Sequence, residues 1–202
     1  MTTVEIKKGK GIEGLFEGFA VGKPEEEKPI EVVEGVFQEL MGEYERFLET
    51  ECDSWNDFQV ELNKITETVT PADITAFLQT TIKHEQHNEY CWRTGLFISK
   101  LMQNSYEAGH NDFILNTTAL KEIHNLGCDL TGTEERLIKL TIIGNTGDWC
   151  GWGSRNLSYK TPNKKTLDKM LKNVKKGNRI IFVHPDGSEE IMRRYNELNS
   201  TD

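Results

Sequence analysis

The sequence predicts an α+β protein: an antiparallel bundle of three helices over residues 30–108, followed over residues 111–198 by a small β-sheet with one packed helix and a C-terminal β-hairpin. Two observations carry this. In the front portion apolar residues recur at steps of three and four, the period of a helix with one buried face. After Gly109 the apolar residues fall into short runs bounded by glycine, proline and asparagine, as strands do. The two regions have room to share one core.

Taken in order, residues 1–29 are rich in glycine and glutamate and read as a mobile arm, with too little apolar surface to offset its ordering entropy. The arm contains Gly9-Lys10-Gly11-Ile12-Glu13-Gly14, a formal GxGxxG. No βαβ unit follows it and Pro24 comes soon after, so it is a coincidence of a glycine-rich segment. The first helix is expected from about Ile30 to Glu51, burying Val36, Phe37, Leu40, Tyr44, Phe47 and Leu48. A second follows Ser54, a capping residue, with Trp55, Phe58, Leu62 and Ile65 on its apolar face. Thr70-Pro71-Ala72-Asp73 opens a third, with a capping threonine, proline at the first helical position and an acid in the first turn. Its pattern runs on to about Asn104 or Glu107 and turns polar at Glu85, Asn88 and Glu89.

In the back portion, Phe113–Leu115 and Leu120–Ile123 are short apolar pieces, and residues 135–143 read as a strand. A segment with four glycines, 144–156, leads to a short strand, Leu157–Lys160, and Thr161-Pro162 caps a helix burying Leu167, Met170, Leu171 and Val174 and stopped by Gly177. Arg179–His184 and Ser188–Tyr195 flank the turn residues Pro185-Asp186-Gly187 as a hairpin.

Charge and cysteines narrow the class. The net charge is −9, and residues 24–53 carry 11 acids against Lys28 and Arg46. Residues 157–195 hold ten Lys or Arg against four acids. An acidic front and a basic back do not make a nucleic-acid footprint; they suit a protein partner or head-to-tail self-association. The stripe of Lys165, Lys169, Lys172 and Lys176 reads as a solvated face, since no aromatic residues interleave it. No apolar run approaches the roughly 20 residues that span a bilayer, and a cytoplasmic location is expected. Cys52, Cys91, Cys128 and Cys150 form no CxxC pair. A reducing compartment leaves them as thiols, and two bridges remain open in a hyperthermophile.

Two constellations are candidate sites. His84, His87 and Cys91 share a face if the third helix is continuous, and imidazole and thiolate at that spacing suit zinc. His84-Glu85-Gln86-His87 is not HExxH, and the pattern lacks the Glu-x-x-His pairs of a di-iron bundle. The bland reading, a polar turn beside one buried thiol, weighs more, so no metal or cofactor is assigned. The second constellation is Asp148, Trp149, Trp152 and Arg155 in the glycine-rich segment. Two tryptophans and an arginine on a loop supply a ligand or partner surface. The structural alternative makes the glycines tight bends and turns Trp149 or Trp152 into the core. Nothing marks Cys150 as a nucleophile.

Gly144-Asn145-Thr146-Gly147-Asp148-Trp149-Cys150-Gly151, with Ser154 and Asn156 beyond it, resembles one unit of the Gly/Asn-rich repeats of uncharacterised, mainly archaeal, proteins. Similar units there stack as solenoid-like rungs, and the resemblance spans residues 111–163, with a single rung. It implies a structural role and brings no catalytic residues. A nucleophile–base pair, a phosphate loop and a complete metal set are all missing from the sequence. The expectation is therefore a non-catalytic interaction or assembly protein. The alternative is a small-ligand or metal binder using the His84–Cys91 face or the Trp149 loop.

Overall fold

The computed structural model describes residues 36–52, 54–173 and 178–192. The glycine-rich arm with its Gly9–Gly14 motif, the expected helix start at Ile30, Val174, Lys176, Gly177 and the chain around Tyr195 lie outside these residues.

Five helices and a five-stranded sheet make up the described protein. α1 (Val36–Glu49) buries Leu40, Tyr44, Phe47 and Leu48. α2 (Trp55–Asn63) begins as expected at Ser54, whose hydroxyl accepts from the Asp57 amide. α3 (Pro71–Thr80) opens on a full capping box, in which the Thr70 hydroxyl and the Asp73 carboxylate each accept from the other residue's amide.

The long third helix expected from Pro71 to Asn104 is two helices. α3 tightens into a 3₁₀ turn, Thr81–His84, the chain turns through residues 85–89, and α4 (Tyr90–Glu107) starts afresh. The Thr80 and Thr81 hydroxyls donate back to the carbonyls of Phe77 and Leu78, at 2.7 and 2.8 Å, and offer the backbone an alternative to the helical ladder. Glu85, Asn88 and Glu89 bring no apolar side chain to hold a continuing turn against the core. Ile82, in the 3₁₀ turn, stands 41% exposed.

The three-helix bundle is thereby corrected: α1, α2 and α3 each pack on α4, and α3 also covers β1 (Asp112–Asn116). One buried cluster runs from Leu40 of α1 through Phe97 and Leu101 of α4 to Leu140 and Tyr159 of the sheet. Tyr44 sits at its centre, edge-on to Phe77 and Phe97, with its hydroxyl 2.6 Å from that of Thr94.

The sheet has the order β1, β2 (Ile138–Ile143), β3 (Leu157–Thr161), β4 (Arg179–Val183), β5 (Glu189–Met192). It is mostly parallel: β1 to β4 run in one direction, and β5 alone is antiparallel to its neighbour β4. Parallel neighbours need crossover connections. Only the connection from β3 to β4 carries a helix, α5 (Lys164–Asn173), capped by the Asn163 side chain accepting from the Thr166 amide rather than by Thr161.

The other two crossovers, residues 117–137 and 144–156, are loops stacked on each other in parallel. The amides of Gly147, Gly151 and Arg155 donate to the carbonyls of Ile123, Leu126 and Leu130, and those of Asn125 and Asp129 donate to Asp148 and Trp152. The glycine-rich segment is thus the second of two turns sharing one backbone pattern. Asn125, Gly127 and Asp129 in the first, and Trp149, Gly151 and Gly153 in the second, all hold positive φ. Gly127 and Gly151 flank the buried ring of Tyr159 so closely that a Cβ on Gly151 would come within 2.6 Å of its hydroxyl. That hydroxyl donates to the Gly127 carbonyl at 3.2 Å and lies 2.9 Å from Ser154 Oγ.

α4 lies along the first loop. The Cys91 carbonyl accepts from the His124 amide, and a Cβ on Gly95 would sit 1.7 Å from the His124 carbonyl oxygen. Farther along, Ser99 Oγ donates to the Asn125 carbonyl and accepts from the Gly127 amide, and Gln103 accepts from the Thr131 amide. These residues are one helical turn apart, so a single face of α4 binds loop backbone.

Candidate tryptophan pocket

This seam positions the most distinctive surface of the molecule. Where α2, α4 and the two loops meet, a pocket of about 230 Å³ is lined by Trp55, Trp92, Asn125, Cys128, Trp149 and Trp152. The chain has four tryptophans, and all four are in this lining. One wall comes from the helices: Trp55 opens α2 and Trp92 lies in the first turn of α4, their ring centroids 6.2 Å apart at 63°. The other wall comes from the stacked loops, Trp149 and Trp152 standing on the second loop over Asn125 and Cys128 of the first. Trp152 bridges the walls, edge-on to Trp55 at 6.4 Å and 88° and to Trp149 at 6.3 Å and 87°. Behind Trp92, Phe58 packs at 4.5 Å and 90° and fixes its plane.

Trp149 is costly to keep where it is. It is 55% exposed, so little of its apolar area is recovered by burial, and it holds φ +62 without being glycine. A bulky residue in the left-handed region costs about 1–3 kcal/mol. Trp152 and Trp55 are 38% and 40% exposed. Three large indoles half open to solvent around one hollow are not what core packing alone selects.

The floor holds the second signal. Asn125 is only 4% exposed, and its Nδ2 is buried with no hydrogen-bond partner. A buried amide donor left unmet costs about 1–3 kcal/mol unless something else accepts its proton. Its backbone is fully engaged, the amide donating to Asp148 and the carbonyl accepting from Ser99 Oγ and the Cys128 amide.

Of the four loop residues singled out from sequence, the structure brings Trp149 and Trp152 together and leaves Asp148 and Arg155 outside this lining. Both are exposed; Asp148 borders a neighbouring groove with Trp149, Lys169, Lys172 and Asn173. Neither tryptophan is turned into the core. Trp55, Trp92 and Asn125 are pocket members that sequence reasoning missed. Trp55 reads as an ordinary helix-face residue, and Asn125 acquires its partnerless amide only through the stacking of loops.

His84, His87 and Cys91 do not share a helix face, because the chain is not continuously helical between them. His84 Nε2 lies 3.1 Å from Glu45 and His87 Nε2 3.4 Å from Glu49, both acids of α1, while the Cys91 carbonyl accepts from the first loop. Burial raises the Cys91 thiol above its ordinary value. Among the described residues no three His, Cys, Asp or Glu side chains are grouped to hold a metal ion, and no helix is long and apolar enough to cross a membrane. The four cysteines form no disulfide.

Compared with known proteins, the chain matches no family model, no curated protein and no solved structure.

Proposed function

We propose that this protein is a non-catalytic binder whose tryptophan pocket captures a small group of a ligand. This reverses the order of the two sequence expectations, putting small-ligand binding through the Trp149 loop ahead of self-assembly. One observation carries the reading: all four tryptophans, drawn from three separate parts of the chain, line one hollow together with Asn125 and Cys128. Ligand sites are predominantly aromatic and apolar with a few convergent polar groups, and this hollow has that composition. At about 230 Å³ it is below the usual range of about 300–1,000 Å³, so it takes the end of a molecule or a compact one.

Within this reading the two stacked loops are a scaffold of solenoid-like rungs, the structural role that the Gly/Asn-rich resemblance implies. Their repeated backbone places Trp149 and Trp152 on a rigid ladder rather than on a free loop. A catalytic reading has less support, since the thiol in the lining, Cys128, is only 4% exposed and meets the Asp129 carboxylate at a long 3.5 Å.

Ligand-observed NMR of the full chain against a library of small fragments tests the proposal. Fragments with aromatic, aliphatic or alkylammonium groups should bind the native protein and be lost in Trp149→Gly, which removes one wall at a φ that glycine accepts without strain. A library with no hit, or hits that persist unchanged in Trp149→Gly, would overturn it.

A further inference from the structure

The outer strand of the sheet is built to pair with another strand. We infer that β5 is a self-association edge: two copies of this chain join β5 to β5, antiparallel about a twofold axis at Ile191, into one continuous ten-stranded sheet. The tryptophan pocket is not involved, and neither reading depends on the other.

The two edges of the sheet are treated differently. Along the β1 edge lies α3, whose Thr75 Oγ1 and Gln79 Nε2 donate to the carbonyls of Ile114 and Asn116 at 2.5 and 2.6 Å. Among the described residues no side chain bonds the backbone of β5 in that way. An uncovered edge strand is a template for another chain.

The ladder fixes which groups are offered. The His184 amide donates to the Ser188 carbonyl at 2.9 Å, so these residues form a hydrogen-bonded pair. Such pairs alternate with non-bonded ones along an antiparallel ladder. Phe182 and Glu190 therefore bond, while Val183 with Glu189 and Ile181 with Ile191 do not. The N–H and C=O groups of Glu189 and Ile191 point away from β4 to the open edge. An added strand must set its own outward residues against these two.

Side chains then choose the occupant. Ile191 is 62% exposed, more than any other large apolar residue described. It shares its sheet face with Glu189, whose Oε1 pairs with Lys160 two strands away. Arg193 follows Met192 in the sequence, outside the described residues. With Ile191 opposite its own copy, Glu189 of each chain opposes the partner's Arg193. The twofold thus sets two Glu–Arg pairs around one Ile–Ile contact. Lys160 leaves Oε2 of Glu189 for the guanidinium, since both carboxylate oxygens accept. An axis at Glu189 sets glutamate on glutamate, and an axis at Glu190 or Met192 sets Ile191 against a charge. The order Glu-x-Ile-x-Arg is its own complement when reversed, which a strand of unrelated sequence is not.

Sedimentation velocity of the full chain over about a hundredfold range of micromolar concentration tests this. The native protein should pass reversibly from monomer to dimer. Ile191→Pro removes an outward N–H and spares the β4 ladder. It should raise the dimer dissociation constant by about tenfold or more, with an unchanged circular dichroism spectrum. Glu189→Arg and Arg193→Glu should each stay monomeric alone. An equimolar mixture of the two should dimerise, because opposite charges then meet at both pairs, and misfolded variants could not produce that rescue. A native protein that stays monomeric throughout overturns the inference. So does a dimer that persists in Ile191→Pro, or a mixture no more dimeric than its components.

Discussion

Trp149 and Trp152 meet edge-on, 6.3 Å apart at 87°, across a turn closed by the Trp152 amide donating to the Trp149 carbonyl at 3.0 Å. The turn forces Trp149 into positive φ, and its ring gains little burial in return. Trp149→Gly should therefore leave the melting temperature unchanged or raise it by a few degrees, a gain of about 1 kcal/mol from released strain offset by lost ring contacts. Thermal unfolding followed by circular dichroism checks this. A large drop would make Trp149 a packing residue.

Arg93 holds the end of α1. The residue is 7% exposed, and Nη1 donates to the carbonyls of Phe47, Leu48 and Thr50 at 2.6, 2.9 and 2.6 Å. These are carbonyls of the helix end, which have no partners inside the helix, and a cation suits the negative end of the helix dipole. The same guanidinium lies 5.0 Å from the Phe58 ring centroid. Arg93→Leu should cost about 2–4 kcal/mol, measured by urea unfolding.

The pH dependence of stability has a named contributor. Burial first, then a hydrogen bond and repulsion from Glu67, push the Glu43 carboxyl from 4.5 up to about 7, with Arg46 opposing. The folded pKa lies above the unfolded one, so the contribution is fully present below about 4.5 and is lost as pH rises through about 7. Glu43→Gln should match the native protein near pH 4 and exceed it at pH 8, by at most on the order of 3 kcal/mol. Melting temperatures across that range decide it, and a constant difference between the two proteins would refute the assignment.

Thiol chemistry should divide the cysteines. Cys150 is fully buried and its thiol is pushed up to about 12 by burial, while Cys52 and Cys91 are partly exposed. Iodoacetamide at pH 8 should label Cys52 in the folded protein, label Cys91 more slowly because burial raises its thiol, and reach Cys150 only on unfolding. Mass spectrometry of the labelled peptides reads the order.

Much of the helical region was legible because its signals are local. Ser54 and the Thr70–Asp73 box act over one turn, and the spacing of Leu40, Tyr44, Phe47 and Leu48 reports one helix face at a time. The break at residues 81–89 was half visible: the polar run at Glu85, Asn88 and Glu89 stood out, but its meaning depended on what the core offers at that point. The parallel sheet was not legible, since β1 is short and the crossovers that bring it beside β2 contain no helix to announce them. The pocket was half legible. Trp149 and Trp152 are three residues apart, whereas Trp55 and Trp92 join them only through packing of α2 and α4 against the loops.

The two helix-free crossovers have a kinetic consequence. Neither stacked loop carries a local element that forms by itself; each is ordered by backbone bonds to the other and to α4 and by side chains such as Ile123, Leu126, Leu130 and Cys150 buried in the common core. Closing such distant pairings costs chain entropy before any contact repays it. On dilution from denaturant the helical signal should therefore recover early, and the tryptophan environment should mature in a later, slower phase. The hollow would then be among the last parts of the molecule to exist, so a ligand present during refolding would speed nothing until the ladder had closed.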